Sequence, residues 1–147
     1  MMWIVYALCA AVLWGAGYLL YELMLRTVSA SGILLSTSII CACIYTCWGL
    51  IGGTLGQDWL LIKKGGNETK LLGGIILTTC LANATFLASM RLKNATIAGL
   101  IEITYPLFTA LFAWYFVREA QMSMGTFFGA MLIMAGIICI SYFERSV

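Results

Sequence analysis

The sequence contains no histidine and one proline, and only 10% of its residues are charged. Without an imidazole, the chain lacks the most common general base and the most common side chain for binding transition metals. None of its six cysteines forms a CxxC pair, and no nucleophile motif is present. The sequence therefore predicts no enzymatic activity, no bound metal and no cofactor.

The scarcity of charge also bears on partners. A net charge of +2 is too small to indicate binding to nucleic acid. Hydrophobic residues make up 63% of the chain, and its mean hydropathy is +1.00. These values are typical of an integral membrane protein, whose first partner is the lipid bilayer. The cysteines lie in apolar runs, where we interpret them as small packing residues.

The apolar runs have the length that a transmembrane helix needs, about 20 residues. They predict an all-α membrane protein with a single domain over residues 1–147. Glycines and charges concentrate in residues 54–69, which we expect to form a loop. The five predicted transmembrane helices span approximately residues 3–25, 32–53, 70–90, 95–117 and 124–143.

The fourth of these spans contains the most unusual residues. Glu102 lies about seven residues inside it, although a charge at the centre of a span costs roughly 2.5 kcal/mol or more. Pro106, one turn further on, leaves a backbone carbonyl without its usual donor and can loosen the helix. At helical spacing, Glu102, Tyr105 and Pro106 fall on a face of small and polar residues, with bulky apolar residues opposite. We expect this face to line protein or a wet cavity and Glu102 to bind an ion or substrate.

Two polar residues in other spans have two interpretations each. Glu22 either binds an ion or forms an interfacial ion pair with Arg26 at the i,i+4 spacing. Asn83, near the centre of the third span, is either a hydrogen-bonding contact between helices or a contact to substrate.

Aromatic and glycine residues complete the candidate set. Trp14, Tyr18 and Tyr105 offer ring faces that attract a cationic substrate. Glycines at small-xxx-small spacing favour close helix contact. One pair, Gly49 and Gly53, is interpreted as ordinary helix packing. A second set in the last span is interpreted as a dimer or helix packing surface and comprises Gly125, Gly129 and Gly136.

The lysines and arginines do not predict one orientation in the membrane. With five spans, each side of the membrane holds four basic residues. Those on the N-terminal side are Lys63, Lys64, Lys70 and Arg118, and those on the other side are Arg26, Arg91, Lys93 and Arg145. Either the long loop dominates this count, or the chain inserts in both orientations. In the second case, two copies would pair as an antiparallel homodimer, a recurring plan in transporters.

Several segments in order resemble the EamA-type repeat of the drug/metabolite transporter superfamily. They are residues 13–15 in the first span, Ala88 and Ser89 at the end of the third, residues 105–107 in the fourth, Glu119 in the following loop and residues 129–137 in the fifth. The resemblance implies a five-span unit that transports metabolites, amino acids or drugs. Family members usually carry two such units, inverted relative to each other, and this sequence spans one. It is also distantly similar to the four-span small multidrug resistance proteins.

Two functions follow as hypotheses. The first is a secondary transporter of small metabolites, amino acids or cationic drugs in the bacterial inner membrane. It would be coupled to protons or sodium through Glu102 and would act as an antiparallel homodimer or with a homologous half-transporter. A carboxyl group removed from water holds a proton until a cation displaces it. The alternative is a non-transporting subunit that stabilises another membrane protein.

Overall fold

The computed structural model describes residues 2–118 and 123–143, and these residues form helices and short turns without a strand. Within these ranges, five helical segments are long and apolar enough to cross a membrane: Met2–Leu25, Ala30–Ile51, Asn67–Leu92, Ala95–Val117 and Met124–Phe143. This confirms the predicted fold class. The loop residue Glu119 and the terminal charges Glu144 and Arg145 lie outside the described residues.

By their contacts, the residues separate into two compact units, Met1–Asn94 and Ala95–Val147. The prediction of a single domain with the boundaries given above stays a prediction.

The first unit contains helices α1 (Met2–Leu25), α2 (Ala30–Ile51), α3 (Leu55–Lys63) and α4 (Asn67–Leu92). Helix α2 contacts the other three, and α4 contacts α1 and α3 as well. Ser29 caps the start of α2 by accepting a hydrogen bond from the Gly32 amide at 3.2 Å, as serine does at helix N-termini. Ile33 and Leu87, each 1% exposed, are the most deeply buried side chains of the unit.

Helix α3 corrects the prediction of a loop over residues 54–69. It begins just after Gly53, whose φ of 69° lies in the left-handed region that glycine tolerates. Its C-terminal end is held by the Thr69 hydroxyl, which donates a hydrogen bond to the Ile62 carbonyl. The segment is short and carries little helical signal of its own, so its helical state depends on these local contacts.

The second unit contains the fourth span in three pieces and then the last helix. The pieces are α5 (Ala95–Glu102), α6 (Tyr105–Phe112) and a π-helical turn, Ala113–Val117. The turn ends at Arg118, a non-glycine residue with a φ of 63°. Helix α7 (Met124–Phe143) follows, with the Ser123 hydroxyl accepting from the Thr126 amide at 3.2 Å.

Candidate functional site

The fourth span is interrupted directly after Glu102. The Ile103 amide still donates to the Gly99 carbonyl at 3.1 Å, as in an α-helix, but the Thr104 amide donates three residues back, to Ile101, at 3.2 Å. Pro106 has no N–H to donate to the carbonyl of Glu102, and it fits best in the first turn of a new helix. Its position near the start of α6 satisfies that preference. The span therefore consists of two half-helices that meet at the carboxylate.

Glu102 is the last residue of α5 and is half-buried. The C-terminal end of a helix carries a partial negative charge, which attracts cations. The Glu102 carboxylate adds a full negative charge at the same end of α5. The position thus favours a cationic over an anionic ligand.

Threonine hydroxyls reinforce the interruption on both sides. The Thr104 hydroxyl donates to the Ile101 carbonyl at 2.8 Å, and the Thr109 hydroxyl donates to the Tyr105 carbonyl at 3.1 Å. Such bonds from a side chain back to its own helix often bend the helix. They also provide hydroxyl oxygens after Glu102, one at Thr104 and one in α6 at Thr109.

A cleft of about 580 Å³ lies between α6 and α7, within the second unit. Its walls include Tyr105, Pro106 and Thr109 from α6 and Thr126, Gly129 and Ile133 from α7. Three of these residues, Tyr105, Pro106 and Gly129, were candidates from the sequence, and the structure brings them together. Glu102 precedes Pro106 by four residues, across the interruption, and is not among the described residues that line the cleft. The volume lies within the range of about 300–1,000 Å³ that small-molecule sites occupy.

The glycine face of α7 is open in the described chain. A Cβ atom added at Gly129 or Gly136 would meet no atom within 4 Å, and one at Gly125 would meet only the Ser123 hydroxyl, at 3.9 Å. The packing role predicted for these glycines therefore stays a prediction. Gly129 also lines the cleft between α6 and α7, where its lack of a side chain leaves space for a ligand.

An aromatic stack joins α1 and α4 in the first unit. The rings of Trp14 and Tyr18 have centroids 5.6 Å apart, and those of Tyr18 and Phe86 have centroids 4.6 Å apart. These distances are typical of favourable ring pairs. Sequence reasoning missed Phe86, although it follows Asn83 by three residues and so shares its helical face. The structure thus places Trp14, Tyr18 and Phe86 in one cluster, near the face of α4 that carries Asn83.

Glu22 lies beside Arg26, with Glu22 Oε1 and Arg26 Nη2 3.8 Å apart. The Arg26 side chain is 69% exposed and that of Glu22 is 28% exposed. This geometry is that of a partly solvated i,i+4 pair, which contributes at most about 0.5 kcal/mol. It supports the interpretation as an interfacial pair, and an ion-binding role for Glu22 stays a prediction.

In the part of the chain that the structure describes, five helices long and apolar enough to cross a bilayer define an integral multi-pass membrane protein. The model of one family, described as the EamA-like transporter family, matches residues 1–142. The chain therefore belongs to the EamA-like transporter family. No curated protein and no solved structure matches it. Membership in a family of transporters agrees with the expectation that the chain is not an enzyme.

Proposed function

We propose that the chain is a secondary transporter of small metabolites, amino acids or cationic drugs in the bacterial inner membrane. The observation that carries this proposal is the break in the fourth span, where α5 ends with Glu102, four residues before the cleft residue Pro106. Transporters commonly bind substrates and coupling ions at discontinuous helices of this kind. In this proposal, Pro106 is the point at which the span bends during alternating access.

Glu102 is the proposed coupling group, for a proton or for sodium. A carboxylate inside a span is costly unless an ion or a partner compensates it, so an intramembrane carboxylate is a functional candidate by default. Binding of the cation and binding of a positively charged substrate would exclude each other at one carboxylate. That competition would couple the flux of one to the flux of the other. Tyr105 lines the cleft and would face a substrate held there.

The proposed assembly is an antiparallel homodimer, with a homologous half-transporter as the other possible partner. Two features support it: an odd number of spans and an equal number of lysines and arginines on the two sides. Each copy would contribute one Glu102 to a shared cavity. Trp14, Tyr18 and Asn83 are proposed as further contacts to substrate.

Filling the cleft tests whether it takes part in transport. We expect Gly129→Leu to reduce uptake by roughly tenfold, because a leucine side chain would occupy space that a ligand needs. The matched control is Gly74→Leu, since a Cβ at Gly74 also meets nothing within 4 Å but belongs to α4, whose described residues are not among those that line the cleft. Initial rates of uptake into proteoliposomes are the measurement, with helicity checked by circular dichroism. Equal rates for the two variants would contradict a role for the cleft.

Transport by the purified chain alone decides between this proposal and the alternative of a non-transporting subunit. The full chain is reconstituted into liposomes and supplied with a panel of amino acids, organic amines and central metabolites under an imposed proton or sodium gradient. Gradient-dependent accumulation of any member supports the transporter. If nothing accumulates, and the chain instead co-purifies with and stabilises a second membrane protein, the subunit function replaces it.

A further inference from the structure

A second cleft, of about 410 Å³, lies in the first unit where α2 ends and α3 begins. Tyr45 and Trp48, three residues apart on α2, line it together with Asp58 from the first turn of α3. Both rings are largely accessible, with Tyr45 62% exposed and Trp48 71% exposed. We call this the Asp58 cleft; it contains none of the candidate transport residues.

Two glycines shape the region where α2 meets α3. A Cβ atom at Gly49 would lie 3.0 Å from Cδ1 of Leu55, so a side chain at residue 49 would require the Leu55 side chain to shift. Gly53, with its φ of 69°, makes the turn between the two helices. Gly49 and Gly53, which we interpret from the sequence as an ordinary helix-packing pair, thus also shape the Asp58 cleft.

The charges around the cleft favour a cation. Among the described residues, Asp58 forms no ion pair, and its side chain makes no hydrogen bond. The C-terminal end of α2 adds partial negative charge to the same cleft. The faces of tryptophan and tyrosine rings attract cations, most strongly quaternary and other organic ammonium groups. Of the residues that the structure describes, no lysine or arginine lines the cleft to compete for the carboxylate.

Each component has a simpler explanation when taken alone. An acidic residue in the first turn of a helix interacts favourably with the helix dipole, and tryptophan and tyrosine are common at the membrane boundary. Glu68 supplies the comparison, because it occupies the first turn of α4 and is not among the residues that line the cleft. The combination of a carboxylate, two accessible rings and a cavity between them is what distinguishes Asp58.

We infer that the Asp58 cleft binds an organic ammonium group, held by the carboxylate of Asp58 and the rings of Tyr45 and Trp48. Because α2 ends beside it, the cleft lies at the end of a membrane span, the depth at which lipid headgroups lie. The ammonium group belongs either to the headgroup of an ethanolamine or choline lipid or to a free amine in solution. The inference does not depend on the proposed transport site.

Equilibrium dialysis of radiolabelled choline against the purified full chain measures binding of the free cation. We expect Asp58→Asn to weaken choline binding by about tenfold and Trp48→Leu by about fivefold, from the loss of one charge and one ring face. Asp58→Glu should restore binding to near the wild-type level, and Glu68→Gln should leave it unchanged. Circular dichroism of each variant confirms that the helices are retained.

Native mass spectrometry in mixed lipid distinguishes the two sources of the group. If the site belongs to a lipid, the wild-type chain retains phosphatidylethanolamine over phosphatidylglycerol, and Asp58→Asn loses that preference. Choline binding without any lipid preference assigns the site to a free amine. The inference is overturned if neither ligand depends on Asp58, or if Glu68→Gln weakens binding as much as Asp58→Asn does.

Discussion

Replacing Glu102 with glutamine is expected to abolish ion-coupled transport by the reconstituted chain. The substitution keeps the size of the side chain and its hydrogen-bonding capacity but removes the negative charge. Loss of one partner from a buried charge interaction costs about 3–5 kcal/mol, which corresponds to roughly a hundredfold or more in cation affinity. The reduction in flux should therefore be at least of that order, even though the fold is retained.

Pyranine-loaded proteoliposomes measure the proton flux that accompanies substrate uptake, and uptake of radioactive sodium measures the other possible coupling. Glu68→Gln is the matched control, since it makes the same chemical change in the first turn of α4 rather than at the break in the fourth span. Glu102→Asp should retain part of the activity because the charge remains. Ion-coupled flux at the wild-type rate in Glu102→Gln would remove Glu102 from the mechanism.

Removing lysine and arginine from one side of the membrane is expected to inactivate the chain. Co-expression with a variant that lacks basic residues on the other side is expected to restore transport. Changing Lys63 and Lys64 to alanine leaves two basic residues on the N-terminal side against four on the other. Changing Arg91 and Lys93 to alanine leaves four against two. The side with more lysine and arginine faces the cytoplasm, so each double variant should insert in a single orientation, opposite to that of the other.

If the active form is an antiparallel homodimer, each double variant alone should lose nearly all transport, and co-expression of the two should restore it. Uptake by cells that express each variant singly or both together is the measurement, with equal membrane levels verified by immunoblotting. In the control, the two double variants are again co-expressed, but one of them also carries Glu102→Gln. This control tests whether both carboxylates are needed. Full activity of either double variant by itself would contradict the antiparallel assembly.

The fold could be predicted to a large extent because each transmembrane helix is encoded locally. Long apolar runs, such as the one that becomes α7, have to satisfy their backbone hydrogen bonds within the segment. The interruption near Pro106 was also predictable, since proline lacks the amide that a continuous helix requires. The family model, which matches residues 1–142, agrees with the resemblance read from the sequence.

Features that depend on contacts between segments were harder to predict. Helix α3 was predicted as a loop, since its stability derives from the approach of Leu55 to Gly49 and from the bond between Thr69 and Ile62. The π-helical turn that ends at Arg118 has no proline or glycine in residues 113–118 to signal it. The role of Phe86 was missed because a phenylalanine in an apolar helix carries no signal until its ring is seen beside Tyr18.

The site itself was predicted in part. Tyr105 and Pro106 share one cleft because they are close in sequence and lie on one helical face. That Gly129 lines the opposite wall depends on how α6 and α7 pack, which no local pattern encodes. A residue such as Asn83 has an assigned helix and face, but its proposed contact to substrate depends on the assembly and so stays a prediction.

The location of the C-terminus is the most direct test of the central claim, that two copies in opposite orientation form the transporter. Two reporters are fused in turn to the C-terminus, one active only in the cytoplasm and one active only outside the inner membrane. We expect substantial signal from both reporters at comparable expression levels. Signal from one reporter alone would establish a single orientation and would contradict the antiparallel homodimer.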